Sequence, residues 1–207
     1  MAKHLSPEEI KDHMLEAFSG PSEIIELYYY IWRSFYTVRL FWEEFETLYT
    51  HSVERNKLLN WAARSFFDSL HKIMVENIVV RIGRLCDTEN TGGKNNASFA
   101  QLIRKLGPIV EPEIQEKLFK IKNKIYSNYN KKLKNLRHRV YAHNDFNTVL
   151  GIQENGIPSK LYYVDINNII DNMQEFINLI DQNILGESKV IPGIIGPGRV
   201  EKLIKII

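Results

Sequence analysis

One cysteine, Cys86, occurs in 207 residues. A single thiol excludes an intramolecular disulfide and a cysteine-based zinc site, and it fits a reducing compartment. No apolar run approaches the roughly 20 residues that a membrane span needs, and Arg33, Arg39 and Glu43 interrupt the most apolar region. The opening Met-Ala-Lys-His-Leu-Ser-Pro-Glu-Glu lacks a charged-then-apolar leader pattern, so a cytoplasmic protein with no membrane contact is expected. Repeats and low-complexity stretches are also missing. No Gly-x-Ser-x-Gly occurs, and no Ser/His/Asp signature stands out. Gly92-Gly93-Lys94 fails as a phosphate loop, because Thr88 stands where glycine is needed and Asn95 where serine or threonine is needed. His138 and His143 are five apart, not the three or four that align metal ligands on a helix, so neither a metal nor a cofactor is expected.

The most informative shortage is local. Between Lys117 and Asn144 there is no Asp or Glu, yet there are nine Lys/Arg: Lys117, Lys120, Lys122, Lys124, Lys131, Lys132, Lys134, Arg137 and Arg139. The rest of the chain holds 27 − 9 = 18 basic residues against 25 acidic ones, so a net charge of +2 conceals two unlike regions. Such a basic field is what a polyanion partner requires, although a solvated lysine face has the same composition.

What is present is helical periodicity, and it predicts an all-α fold. Ser6-Pro7-Glu8-Glu9 reads as a capped helix start that stops by Gly20-Pro21. From Ser22, the residues Ile24, Tyr28, Ile31, Phe35, Val38, Trp42, Phe45 and Tyr49 recur at threes and fours, as one face of a long helix does. The rings along it suit packing between helices better than base stacking. After a break over Thr50 to Asn56, a helix from about Lys57 to Leu85 shows one face of Leu59, Ala63, Phe66, Leu70, Ile73, Asn77 and Val80 and another of Ile78, Ile82 and Leu85. That pattern predicts a helix buried on two sides. Asp87 to Asn96 is a polar loop, and Ser98 caps a short helix ended by Gly107-Pro108. The basic helix follows from near Pro112, with the stripe Leu118, Ile121, Ile125, Tyr129, Leu133, Leu136, Val140. Asn144 to Leu161 loses the pattern, and Asp165 is expected to cap a last helix closed by Gly186. The economical solution is an up-and-down four-helix bundle over 22–186. A short N-terminal helix or arm over 1–21 and a loose tail over 187–207 would flank it, and the tail's isoleucines want a partner surface.

On one continuous helix, Arg137 and His143 would each sit about 60° from Val140, on either side of the apolar stripe. A two-fold axis there would bring one copy's arginine near the other copy's histidine. Imidazole can move protons at neutral pH, and guanidinium can hold a phosphate and offset its growing charge. This suits RNA cleavage by the 2′-hydroxyl, with no metal. The same His143 and Asn144 also fit an ordinary helix end.

Leu136-Arg137-His138-Arg139-Val140-Tyr141-Ala142-His143-Asn144-Asp145 resembles the signature of HEPN domains, in which an arginine, a short spacer and a histidine close a long helix. The Ala-His-Asn-Asp ending and the long helices upstream are most similar to the abortive-infection U-type (AbiU-like) branch. The resemblance spans roughly Ser22 to Gly186, with about ten residues matching a motif. It implies a helical bundle, a homodimer with a composite cleft, and an endoribonuclease used as a toxin or in antiphage defence. An antitoxin protein belongs with that picture. Arg137 takes the place of the motif arginine and His143 that of the motif histidine. His138 stands where the family commonly has Asn, a departure from the pattern at this third position and not at the arginine–histidine pair. Asp145 replaces a tyrosine that a partner nucleotidyltransferase modifies in some relatives, so that silencing is not expected. Asn144 and His138 would assist catalysis, and Arg139, Lys134, Lys131, Lys132 and Lys124 would contact RNA. Other relatives are non-catalytic binding or dimerisation modules, which is the competing expectation.

Overall fold

In the computed structural model, residues 6–50, 52–138 and 163–185 are described. The four long helices are α2 (Ser22–Tyr49), α3 (Val53–Leu85), α5 (Pro112–Lys132) and α6 (Tyr163–Ile184). Two shorter ones, α1 (Pro7–Ala17) and α4 (Phe99–Leu106), pack against them, and a two-residue hairpin, β1 (Asn90–Thr91) with β2 (Lys94–Asn95), projects from the loop after α3. The fold is all-α, as the periodicity predicts.

Side-chain pairing fixes the helix directions. Tyr28 donates to Asp181, Arg39 to Gln174 (2.5 Å) and Trp42 to Asn167, so residue numbers rise along α2 as they fall along α6. Lys124 and Lys132 of α5 stand 4.0 and 3.3 Å from Glu175 and Asp165. The Tyr49 hydroxyl donates to the Phe67 carbonyl (2.9 Å). Both α3 and α6 therefore run antiparallel to α2, and α5 runs antiparallel to α6, giving the expected up-and-down order. Phe35, Phe45, Phe99 and Phe176 are fully buried at the centre. Phe99 and Phe176 meet edge to face at 4.7 Å and tie α4 to α6. Burial of such rings, at about 2–3 kcal/mol each, is what opposes the chain entropy.

Local starts follow the sequence. Ser6 and Glu9 form a reciprocal capping box with Pro7 in the first turn, and Ser98 accepts from the Gln101 amide. Ile10 and Met14 of α1 are buried in the common core.

Three expectations change. The α2–α3 break is short: Ser52 accepts from the Arg55 amide, so α3 begins at Val53. Inside α3, Ala63 leaves helical geometry (φ −167°, ψ 72°), and this resets the helical phase. Of the expected face, Leu59 is buried and Leu70 packs against the core, whereas Ala63, Phe66 and Ile73 point outward, with Phe66 and Ile73 both 60 % exposed; Phe67, Met74, Ile78, Ile82 and Leu85 face the core. Only one side of α3 is buried. Finally, Asp165 lies within the first turn of α6, not at its cap. There its carboxylate complements the helix dipole and pairs with Lys132.

The polar loop contains the small hairpin because Gly92 and Gly93 take left-handed backbone angles (φ 59° and 79°). That conformation costs glycine nothing and lets a two-residue turn close the strands. No described helix is long and apolar enough to cross a membrane.

Candidate functional site

The basic helix does not run unbroken to Val140. Here α5 ends at Lys132, Leu133 forms a turn, residues 134–135 are again helical, and 136–138 adopt a wider π-type turn. Leu118, Ile121, Ile125, Tyr129 and Leu133 hold the expected buried stripe, and Leu136 packs on the core's edge. Wide turns of this kind are often found at functional positions. The break also means that an ideal wheel no longer gives the direction of residues beyond it.

Arg137 emerges from this turn against the C-terminal end of α3. Its Nη1 and Nη2 donate to the two carboxylate oxygens of Asp87 at 2.6 and 3.2 Å, and Nη1 also donates to the Tyr129 hydroxyl at 3.3 Å. The pair is partly shielded, with side chains 16 % and 32 % exposed. Burial alone would lower the Arg137 pKa, but its hydrogen bonds to Asp87 and Tyr129 outweigh it and hold the group well above its ordinary value. Tyr129 is pushed up by burial, against the opposing pull of Arg137.

The sequence makes room for this arrangement at Gly83. A Cβ there would lie 2.3 Å from Arg137 Cδ and 2.7 Å from Nε. A guanidinium at the end of α3 also complements the partial negative charge of that helix terminus. Asp87 is itself fixed: its carbonyl accepts from the Tyr126 hydroxyl (3.1 Å), and its amide donates to the Arg84 carbonyl (3.3 Å). Below it Cys86 is buried, which raises its thiol pKa far above normal.

The other expected site residues divide into three groups. His138 is exposed and stands one residue beyond Arg137. Arg139, His143 and Asn144 lie outside the described residues, as does Asp145. Of the expected RNA-binding lysines, Lys131 and Lys134 are exposed, while Lys124 and Lys132 have carboxylate neighbours.

The acid-free run is not free of acid in space. Lys117 and Lys120 pair with Glu113 and Glu116, both at 2.6 Å. With Lys124, Lys132 and Arg137, five of the run's eight cations among the described residues thus sit beside carboxylates supplied from before the run, from α6 or from the loop after α3. Lys122 instead lies over the rings of Phe119 (4.0 Å) and Tyr126 (5.3 Å), and burial lowers its pKa. A shallow cleft of about 560 Å³ between α5 and α6 is lined by Lys117, Lys120 and Lys124 on one wall and Asp171, Gln174 and Glu175 on the other, so it offers no single sign of charge.

Sequence reading missed Asp87, Tyr129 as a hydrogen-bond partner, and Gly83. Asp87 opens a polar loop whose composition looks ordinary, and its distance of 50 residues from Arg137 leaves no local signal. Gly83 inside an apolar helical stretch was the one available hint, since a mid-helix glycine commonly marks a close approach. Among the described residues, no group of three or more His, Cys, Asp or Glu is placed to hold a metal ion.

No curated protein and no solved structure matches the chain. A family model for AbiU2, a HEPN-domain family, matches residues 21–190. That match takes in α2 through α6 and the whole Arg137–His143 motif. With most of its length so matched and an all-α bundle to go with it, the chain belongs to the AbiU2 family of abortive-infection-related HEPN domains.

Proposed function

We propose that the chain is a metal-independent endoribonuclease that cleaves single-stranded RNA at a site shared by two copies, acting in the cytoplasm as a toxin or antiphage effector. In this reading the 2′-hydroxyl attacks the adjacent phosphorus and a base takes its proton. The bond from phosphorus to the 5′-oxygen breaks, and that oxygen is protonated as it leaves. The products are a 2′,3′-cyclic phosphate and a 5′-hydroxyl. His143 moves the protons, Arg137 holds the scissile phosphate, and His138 and Asn144 assist. Lys131, Lys134 and Arg139 draw in the flanking backbone.

The observation that carries this reading is the state of Arg137 within an AbiU2-family motif. It is a half-shielded, oriented guanidinium on a distorted turn, not a solvated side chain on a helix face. Such orientation is what electrostatic stabilisation of a phosphate needs, because a group already in place costs nothing to reorganise during the reaction. The test is incubation of purified protein with end-labelled RNA in excess chelator, beside His143→Ala and Arg137→Ala. Cleavage by the wild type that both substitutions abolish is expected. Cleavage that survives both at full rate would reject the assignment.

A second reading, a non-catalytic RNA-binding or dimerisation module, is favoured by one specific observation: the carboxylates beside five of the eight described cations of the basic run. Pairing of that kind reduces the field available to a polyanion. It predicts RNA retention with a shallow salt dependence, set by few phosphate contacts, and no cleavage products.

A further inference from the structure

We propose that Asp87 is a positioning residue of the RNA site. It acts through Arg137 by fixing the guanidinium so that one particular edge faces an incoming phosphate. The inference rests on the nuclease reading for its biological use, but its geometry stands apart from that reading.

A guanidinium has five N–H groups arranged along two usable edges. In this structure the end edge, Nη1 with Nη2, is spent on the two oxygens of Asp87, and the second Nη1 proton is directed to Tyr129. The side edge, formed by Nε–H and the second Nη2–H, has no hydrogen-bond partner among the described residues. Two parallel N–H groups at that spacing match two oxygens of a phosphate. The carboxylate therefore need not be displaced for a phosphate to bind, since it occupies the adjacent edge, shares only Nη2 with the side edge and uses the other proton of that nitrogen.

Orientation is the harder requirement, because an arginine side chain has many rotamers and loses them only when it is held. Asp87 is suited to hold it. The Tyr126 hydroxyl and the Arg84 carbonyl anchor its backbone, and it stands at the end of α3, where Gly83 lets the arginine lie flush with the helix. Tyr126 and Tyr129 belong to α5, so the clasp joins the end of α3 to α5 and to the turn that bears the motif. Without the carboxylate, Arg137 would keep a single long bond to Tyr129 and could turn its side edge away.

The experiment follows the Arg137 Nε–H resonance in the ¹⁵N-labelled full chain, assigned by its loss in Arg137→Lys, while a nucleoside 3′-monophosphate is added. A saturable shift of that resonance is expected in the wild type, with at least about tenfold weaker binding in Asp87→Asn. If Asp87→Asn does not fold, Asp87→Glu serves the same comparison, with the charge kept but the fork displaced, and weaker binding is again expected. Binding that is equal or tighter in the Asp87 variant would overturn the proposal, because Asp87 would then be irrelevant or a competitor for Arg137. Absence of any shift in the wild type would overturn it too.

RNA cleavage by the same proteins separates the positioning role from the parent reading. In Asp87→Asn, kcat is expected to fall about 100-fold, well beyond the roughly tenfold rise in KM that weaker phosphate binding brings. Undiminished kcat in a folded variant would reduce Asp87 to a structural residue and overturn the proposal. A wild-type protein that shows the Nε–H shift yet never cuts RNA would refute the nuclease function while supporting the Asp87 assignment.

Discussion

Replacing Asp181 by Asn isolates the cost of burying a carboxylate between α6 and α2. Asp181 accepts a hydrogen bond from the buried Tyr28 hydroxyl, with Tyr36 nearby. Burial raises its pKa to about 6, although the Tyr28 bond pulls the other way. In an unfolded chain an aspartate titrates near about 3.9. Below about pH 4 the carboxyl is protonated in both states, and the raised value costs the fold nothing. As pH rises from about 4 to about 6 the unfolded chain releases its proton first, so stability falls, and the loss is complete once pH has passed the folded-state value. Two pKa units correspond to about 3 kcal/mol, an upper figure for a group that retains some solvent contact. Asparagine keeps an acceptor for Tyr28 and carries no charge. Asp181→Asn should therefore match the wild type near about pH 4 and exceed it by about 2–3 kcal/mol above about pH 7. Urea unfolding of both proteins across that range provides the measurement. The difference between them cancels other carboxylates, such as Glu23, Glu113 and Glu116, whose pKa values lysine partners lower. A variant less stable than the wild type at neutral pH, or a difference that does not change with pH, would refute the reasoning. It would mean that the Tyr28 bond to an ionised carboxylate outweighs its burial.

Cys86 is buried and its thiol pKa is strongly raised, first by burial and then by Asp87, so a thiol reagent should label the native protein negligibly and the denatured protein fully. Gly83→Ala places a methyl 2.3 Å from Arg137 Cδ. The clash should cost about 1–3 kcal/mol, offset by up to about 1 kcal/mol of helix propensity, and thermal unfolding should show a smaller cost in an Asp87→Asn background, where the arginine can yield. Phe176→Ala removes the ring that meets Phe99 at the centre of the bundle. A loss of about 3–5 kcal/mol by chemical denaturation is expected, whereas a loss under about 1 kcal/mol would show that this contact is not central.

Where one face of a helix is unbroken, the sequence already contains the fold. The α2 stripe from Ile24 to Phe45 and the α5 stripe from Leu118 to Leu133 are buried as their spacing requires. Ser6 and Ser98 act as caps because their hydroxyls can reach amides that the first helical turn leaves unpaired. Periodicity misled where the backbone changed phase. A single non-helical residue, Ala63, rotates everything after it, so Phe66 and Ile73 face outward although their spacing fits an inward face.

The site was legible only along the chain. Arg137 could be picked from its motif, but its partner Asp87 could not, because an ion pair between distant residues leaves no period and no local composition. The same limit explains the basic run. Glu175 of α6 and Asp87 after α3 are brought to it by folding alone, so its charge looked larger on paper than the folded surface makes it.

The central claim is that the 2′-hydroxyl of RNA is the nucleophile, with this chain supplying the proton transfer and the phosphate clamp. The direct measurement uses an end-labelled RNA that the wild-type protein is found to cut, remade with a single 2′-deoxynucleotide on the 5′ side of the scissile phosphate, and incubated in chelator. Cutting should vanish at that position and persist at others, and the 5′ product should end in a 2′,3′-cyclic phosphate. Cutting at the deoxy position at an undiminished rate would contradict the claim, since another nucleophile would then be at work.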